Sequence, residues 1–492
     1  MTTSLSSPAV SLLTESNVAP GSQTSETPGQ RVPHTLPSRF IFLLLCVAIV
    51  TTALAYGTNH FWSLSIFSFG ALLIVLFWVV DAWKIRVLRI SRNPLQLPLL
   101  GILVVGVVQL LPVDSPVTDG ILSLPAVSAL SLDPYATRLA IAQLATLLIY
   151  FSAILVFTDS PHRLHLLVRT ITIFGFFLAI FGLTQSFTTT KVYWVRDLPQ
   201  AVPFGPFING HHFAGYMELT LAIPLGMLFS GSVEKDQRFL YVFAVGLMGV
   251  ALILTKSRGG LISLVAEIMF LLAVSGLRRR KGRELHEKTK RMSNAALRTG
   301  LALALILGLF VGVVSLGGEL ALSRFVGTVN SADPTTGRAH FWSVTLDIIR
   351  AHPVVGTGLG AFATVYTRYD SRNGMFRLEQ VHNDYLQIFS DAGIIGAGLG
   401  LCFIVMLFRM GFARRESRDE YRSGVALGAL AGCFAVLVHS FFDFTLHTTA
   451  NALLFLILAA LATMNGRVEQ PKRRRRRRRS EAGPVIIGPA SP

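Results

Sequence analysis

The amino-acid sequence predicts an all-α, polytopic membrane helical bundle of about 12 transmembrane helices, and three observations carry that expectation. Only 14% of the 492 residues are charged while 52% are hydrophobic, against roughly 25% charged in an ordinary soluble domain. The mean hydropathy is +0.56, so most of the chain is solvated by something other than water. The charges also gather in short clusters between apolar runs of bilayer-crossing length. A soluble multidomain enzyme does not have this composition.

Taken in order, residues 1–38 are rich in Ser, Thr, Pro and Gly with few bulky apolar side chains. Such a segment cannot bury enough surface to offset its ordering entropy, so it reads as a disordered cytoplasmic tail. Ala53-Leu54-Ala55 has the small-x-small form of a signal cleavage site. The polar region before it is too long and nearly uncharged for a signal, so the first apolar run reads as a retained span. From Phe40 onward, spans are centred near Val47, Leu72, Val104, Leu148, Phe177, Ala222, Val245, Glu267, Leu307, Leu401, Ala431 and Ile457, within a transmembrane domain over 39–466. The tenth begins near Ala392. Glu218 and Glu267 are the acids well inside spans, and Pro224 and Gly396 are tolerated where neighbouring helices satisfy the backbone. Cys46, Cys402 and Cys433 all fall in apolar runs, which argues for packing residues over a disulfide framework. Residues 467–492 form a basic cytoplasmic tail containing Arg473 to Arg479.

The net charge of +17 does not point to nucleic acid. Its clusters (Arg278 to Lys281, Arg414-Arg415 and the tail) abut apolar segments, as the positive-inside rule requires. Anionic membrane lipids are their natural partner. With the N-terminus inside and spans alternating, about 33 of the 44 Lys and Arg fall inside and about 11 outside. Both termini are then cytoplasmic. Arg324, Arg338, Arg350, Arg368, Arg372 and Arg377 collect in one long outer loop, about 318–391, between the ninth and tenth spans. Outward arginines run against the topological bias, and long loops without repeats are often functional.

Three stretches fall on that same outer face. They are Lys256-Ser257-Arg258-Gly259-Gly260; Gly337-Arg338-Ala339-His340-Phe341-Trp342 with His352-Pro353, Gly356, Gly358 and Gly360; and Val381-His382-Asn383-Asp384-Tyr385-Leu386-Gln387. Arg258 and Arg338 offer fixed planar cations suited to phosphate oxygens. His382 offers a base whose ordinary pKa lies near neutrality. A diphosphate leaves readily once its charge is compensated, so two arginines and a base fit attack by a hydroxyl on a diphosphate-activated sugar. Lys256 and Arg377 are supporting candidates for phosphate or sugar contact, and Asp384 or Glu379 for orienting the histidine.

Plainer readings stand beside these. Arg258 also fits a snorkelling interfacial charge, Arg338 a surface charge near a helix end, and His382 a satisfied loop histidine. Asn383 and Asp384 also fit a helix cap. His211, in Phe207-Ile208-Asn209-Gly210-His211-His212, stands at the outer start of the sixth span, where ordinary interfacial placement competes with contact to a headgroup or sugar. His439, Asp443 and His447 recur every four residues. If helical they would share a face and could ligate a metal, but hydrogen bonding inside the bundle is the favoured reading for Asp443. No metal is expected. The sequence has no P-loop, dinucleotide fingerprint or serine-nucleophile elbow, and no cofactor is expected either.

Ser257-Arg258-Gly259, Gly337-Arg338 with Trp342, His352-Pro353 through Gly360, and His382-Asn383-Asp384-Tyr385 together resemble the bacterial O-antigen ligase and O-antigen polymerase superfamily, over about 204–444. The resemblance implies a membrane glycosyltransferase with a large periplasmic loop in the bacterial inner membrane. It implies an undecaprenyl-diphosphate-linked glycan as donor, and a lipid A-core sugar, a growing glycan or a protein hydroxyl as acceptor. It further implies inversion at the anomeric centre without a metal. By the same resemblance Arg258 and Arg338 engage the diphosphate and His382 activates the acceptor. Ligation or polymerisation of surface polysaccharide ranks above protein O-glycosylation, with a lean to ligation. A different class also fits the layout, since a 12-helix transporter has both ends inside, but it should show repeated halves and functional groups at mid-membrane.

Overall fold

The computed structural model describes residues 34–113, 128–198, 202–276, 300, 337–371, 378–414, 417 and 419–464. These form a helical bundle: α1 (Leu36–Leu54), α2 (Phe61–Ile85), α3 (Gln96–Gln109), α4 (Pro134–Phe157), α5 (Pro161–Thr188), α6 (Gly210–Ser230), α7 (Arg238–Leu254) and α8 (Arg258–Gly276), then α9 (Arg338–Ala351), α10 (Phe362–Tyr369), α11 (Asp384–Arg414), α12 (Glu420–His439) and α13 (Thr449–Thr463). The β-structure among the described residues is slight, a two-residue antiparallel pairing of Pro112–Val113 with Ser128–Ala129. Nine of the described helices are long and apolar enough to cross a membrane, and α3 and α13 are shorter apolar helices. All eleven stand where spans are expected. The expected ninth span, near Leu307, lies outside the described residues, as do residues 1–33 and the C-terminal tail, whereas Leu36–Ser38, expected to end the disordered N-terminal tail, form the first turn of α1, capped by Thr35.

Helix starts follow side-chain chemistry. Thr35, Asp133, Ser160, Asn209 and Asp419 each accept a hydrogen bond from a backbone N–H of the first turn of α1, α4, α5, α6 and α12, as N-caps do. Prolines stand within the first two positions of α1, α4 and α5, where a missing N–H costs nothing.

Two helices occupy the centre. Protein covers 94% of the most apolar stretch of α6 and 78% of that of α12, against 22% for α2, which makes α2 a lipid-facing helix. Where α6 and α12 cross, a Cβ on Gly226 would overlap the backbone of Gly428. Lipid tails are as apolar as leucine, so close backbone approach through small residues supplies the attraction there. At one end of the bundle Arg163 ties α5 to α1 through the Ser38 hydroxyl at 2.8 Å, and Asn93 reaches Thr463 at 2.9 Å.

At the other end sits the described part of the long loop, which is folded. α9 and α10 enclose a small core of Val344, Ile348, Phe362, Val365, Tyr366 and Val381. The glycine-bearing turn after α9 fastens this cap to the bundle. The Gln109 side chain donates to the carbonyls of Val355 (2.6 Å) and Asp391 (2.8 Å) and accepts from Leu359 N–H at 2.9 Å. The tenth span, expected from near Ala392, is preceded by a helical lead-in that meets it at a break beside that position. α11 runs from Asp384 and is broken at Gly393, whose φ of 62° and ψ of −161° form a conformation open essentially to glycine alone. The break frees the N–H of Ile394, which donates to Pro353 O of the cap at 2.9 Å.

Candidate active site

His382, Asn383, Asp384 and Tyr385 are each anchored by the chain around the end of α12. Asn383 accepts from the N–H groups of Tyr385 and Leu386, both at 3.0 Å, and so caps α11. Its amide donates to Phe441 O at 3.3 Å, and the Tyr385 hydroxyl donates to Leu437 O at 2.7 Å. On the other side, Trp342 of α9 donates to Val381 O at 3.2 Å. Held between these supports, His382 adopts a φ of 56°, a left-handed conformation that persists in non-glycine residues only where surroundings impose it. Its Nδ1 lies 3.1 Å from Asp443 Oδ1, and its ring meets the Phe444 ring edge-on at 4.8 Å. A carboxylate on one imidazole nitrogen fixes ring orientation and leaves the other nitrogen, Nε2, for chemistry.

Asp443 is the pivot. Its side chain is only 2% exposed, and Oδ2 lies 3.9 Å from His211 Nδ1. Burial alone would raise its carboxyl pKa, but the hydrogen bond with His382 and the adjacent His211 hold it well below the usual carboxylate range. The His211 Nδ1 in turn meets the Ser257 hydroxyl at 2.8 Å. That hydroxyl accepts from Gly260 N–H at 3.1 Å, capping α8. Ser257, His211, Asp443 and His382 therefore form one connected row from the α8 turn to the cap.

The arginines border this row. Arg258 is exposed, directly after Ser257, and is the first residue of α8. Arg338 is the first residue of α9 and lies close enough to His211 for their charges to interact. Cations are disfavoured at helix N-termini, where backbone N–H groups already present positive charge. Two such arginines at one site make an environment that calls for an anion. Lys256 is exposed beside Arg258, with a φ of 58°.

Other expected participants are placed differently. Asp384 does not orient His382; it accepts from the Ser440 hydroxyl at 2.7 Å and pairs with His447 Nδ1 at 2.8 Å. Proximity in sequence misled because the backbone turns between the two residues. Glu379 is exposed, and Arg377 lies outside the described residues. His439, Asp443 and His447 share no helix face, because α12 ends at His439 and a turn and a short 3-10 segment follow. Their partners differ as well: Glu218 at 2.9 Å for His439, His382 for Asp443, and Asp384 for His447. Among the described residues no group of three or more His, Cys, Asp or Glu is arranged to hold a metal ion. Burial works against a charged His447, but the bond and charge of Asp384 outweigh it and raise its pKa above the ordinary histidine value.

Residues 243–401 match the family model described as O-antigen ligase. The chain carries an O-antigen ligase-like domain. The matched stretch begins in α7, takes in Arg258, Arg338 and His382, and ends in α11. With the bundle of apolar helices, the match supports a multi-pass membrane protein of O-antigen ligase/polymerase-like character. His211 and Asp443 lie outside the match, yet the fold brings both against residues within it. No curated protein is significantly similar to the chain.

Proposed function

We propose that this O-antigen ligase-like enzyme moves a glycan from undecaprenyl diphosphate to an acceptor hydroxyl at the periplasmic face of the bacterial inner membrane. The observation that carries the reading is the pair of arginines opening two helices beside a carboxylate-held histidine. The polyprenyl tail enters from the lipid, and its diphosphate settles against Arg258 and Arg338, with Lys256 and Arg377 in support. His382 Nε2 takes the acceptor proton as the acceptor oxygen attacks the anomeric carbon from the side opposite the diphosphate. A new C–O bond forms, the bond to the diphosphate oxygen breaks, and the configuration inverts. The departing diphosphate keeps the bonding pair and is held by the arginines, a stabilisation on the order of 3 kcal/mol for one such donor in comparable sites. Charge compensation by arginine makes the step independent of a metal. Asp443 keeps the imidazole oriented and steadies its protonated form.

The acceptor is a lipid A-core sugar or a growing glycan, with ligation ahead of polymerisation and a protein hydroxyl behind both. The test is glycan transfer by purified protein in liposomes, with a polyprenyl-diphosphate donor, a panel of acceptors and excess chelator. Wild type is expected to transfer, and His382→Ala to lose about 10²- to 10⁴-fold, as for loss of a general base. Arg338→Ala is expected to raise the donor KM. Undiminished transfer by His382→Ala removes the base. Absence of transfer by folded wild type to every acceptor removes the enzyme reading in favour of transport.

A further inference from the structure

Two groups picked out by the sequence have no part in the transfer step: Glu218 within α6 and His439 at the end of α12. Both are fully buried, and His439 Nδ1 stands 2.9 Å from Glu218 Oε1. The Ser263 hydroxyl of α8 donates to the same Glu218 oxygen at 2.9 Å. A buried carboxylate with so few partners is costly inside a bundle, so its retention needs a reason.

The neighbours supply one. A Cβ on Gly259 would stand 2.7 Å from His439 Cδ2 and 2.9 Å from its Nε2, and a Cβ on Gly260 would stand 3.2 Å from Glu218 Oε1. The backbone of the Arg258 turn therefore rests directly on both members of the pair, and its two glycines are what let it approach. Ser263, one turn further along α8, sits 2.7 Å from Gly259 O and ties that turn to the carboxylate. At its other end His439 begins the turn that delivers the base partner, for the N–H of Asp443 donates to His439 O at 3.1 Å.

We infer that Glu218 and His439 are positioning residues: their buried pair is the seat that fixes the Arg258 turn relative to the His382–Asp443 base, and so sets the fit of a polyprenyl diphosphate. The inference rests on the proposed transferase reading. Glu218→Ala withdraws the support under the turn while leaving His382 and Asp443 bonded. Gln at this position still offers an oxygen to Ser263 and His439.

The experiment measures both binding of a fluorescent polyprenyl diphosphate lacking sugar and donor KM and kcat in the liposome assay. Glu218→Ala is expected to weaken lipid binding and raise donor KM about tenfold, with kcat within about twofold. Glu218→Gln restores most of both. Gly259→Ala is expected to mimic Glu218→Ala, and His439→Asn, which breaks the pair from its other side, to weaken lipid binding likewise. Equal loss of kcat and KM effects across all variants, or unchanged binding in folded Glu218→Ala, overturns the positioning role. If Gly259→Ala does not fold, the Ala and Gln variants of Glu218 decide alone. Failure of wild type to bind the lipid at all counts against the transferase reading itself.

Discussion

A histidine in a membrane-surface loop is a weak base unless something holds its ring and steadies its charge. For His382 that partner is Asp443, 61 residues further along the chain. The carboxylate is nearly inaccessible and stays ionised because the His382 bond and His211 outweigh the penalty of burial. Replacing it with asparagine keeps the shape and removes the charge. Asp443→Asn is therefore expected to lower kcat by about 10- to 100-fold, the usual scale for a group that orients an essential imidazole. Binding of sugar-free polyprenyl diphosphate should persist, since the arginines are untouched. A kcat equal to that of wild type would show that the imidazole needs no orienting charge. His382, Arg258 and Arg338 were legible in the sequence because each sits in a compact motif. The Asp443 pairing was not, because no local pattern tells which of several carboxylates crosses the fold to meet a given ring.

Among the elements, the turn from Ser440 to His447 matters more than its length suggests, since it carries Asp443 and is clipped to the start of α11. Asp384 receives the Ser440 hydroxyl and the Leu446 N–H as well as His447. The His447 pKa is raised in the folded protein, with burial outweighed by Asp384 and, more weakly, Asp391. A raised pKa means that the stabilising contribution is complete below the ordinary histidine value and disappears as pH climbs through the folded value. Hydrogen exchange of residues 444–449, corrected for the intrinsic pH effect, is thus expected to quicken on the alkaline side of that value and stay slow below it. His447→Gln should erase the pH dependence, and exchange that is equally slow at every pH would remove the ion pair from the clip. The sequence did show the cap at Asn383, because cap chemistry is local. It did not show the lead-in of about two turns that precedes the break at Gly393, because a glycine inside an apolar run also fits an unbroken span. Nor did it show that both arginines open helices, since that depends on where α8 and α9 begin.

Across the whole molecule, the hydropathy pattern was enough to place eleven helices, because the length of an apolar run is set by the thickness of the bilayer rather than by packing detail. Which helices lie at the centre was hidden, for α6 and α12 are no more apolar than their lipid-facing neighbours. The fold gathers the Arg258 turn, the Arg338 cap and the His382–Asp443 pair at one end, with the ends of α1, α6 and α13 beside them: Ala450 donates to Gly57 O at 3.2 Å, and Asn451 to His212 O at 3.0 Å. That gathering serves a lipid-linked donor only if the shared end faces the compartment where the donor is displayed. The proposed function puts this end outward, as the positive-inside count expects, and labelling tests it. In a variant with Cys46, Cys402 and Cys433 replaced, Asp347→Cys on α9 should react with a membrane-impermeant maleimide in cells whose outer membrane alone has been opened. Glu234→Cys, between α6 and α7, should react only after the inner membrane is broken. Both positions are exposed, so a failure to label reflects the membrane rather than burial. The reverse pattern would place the arginines with the cytoplasmic lipid headgroups, where positive-inside placement alone accounts for them, and would leave the anion site without its reason. Labelling of both from outside would break the alternation of spans between α6 and α9 and with it the shared face on which the transfer step depends.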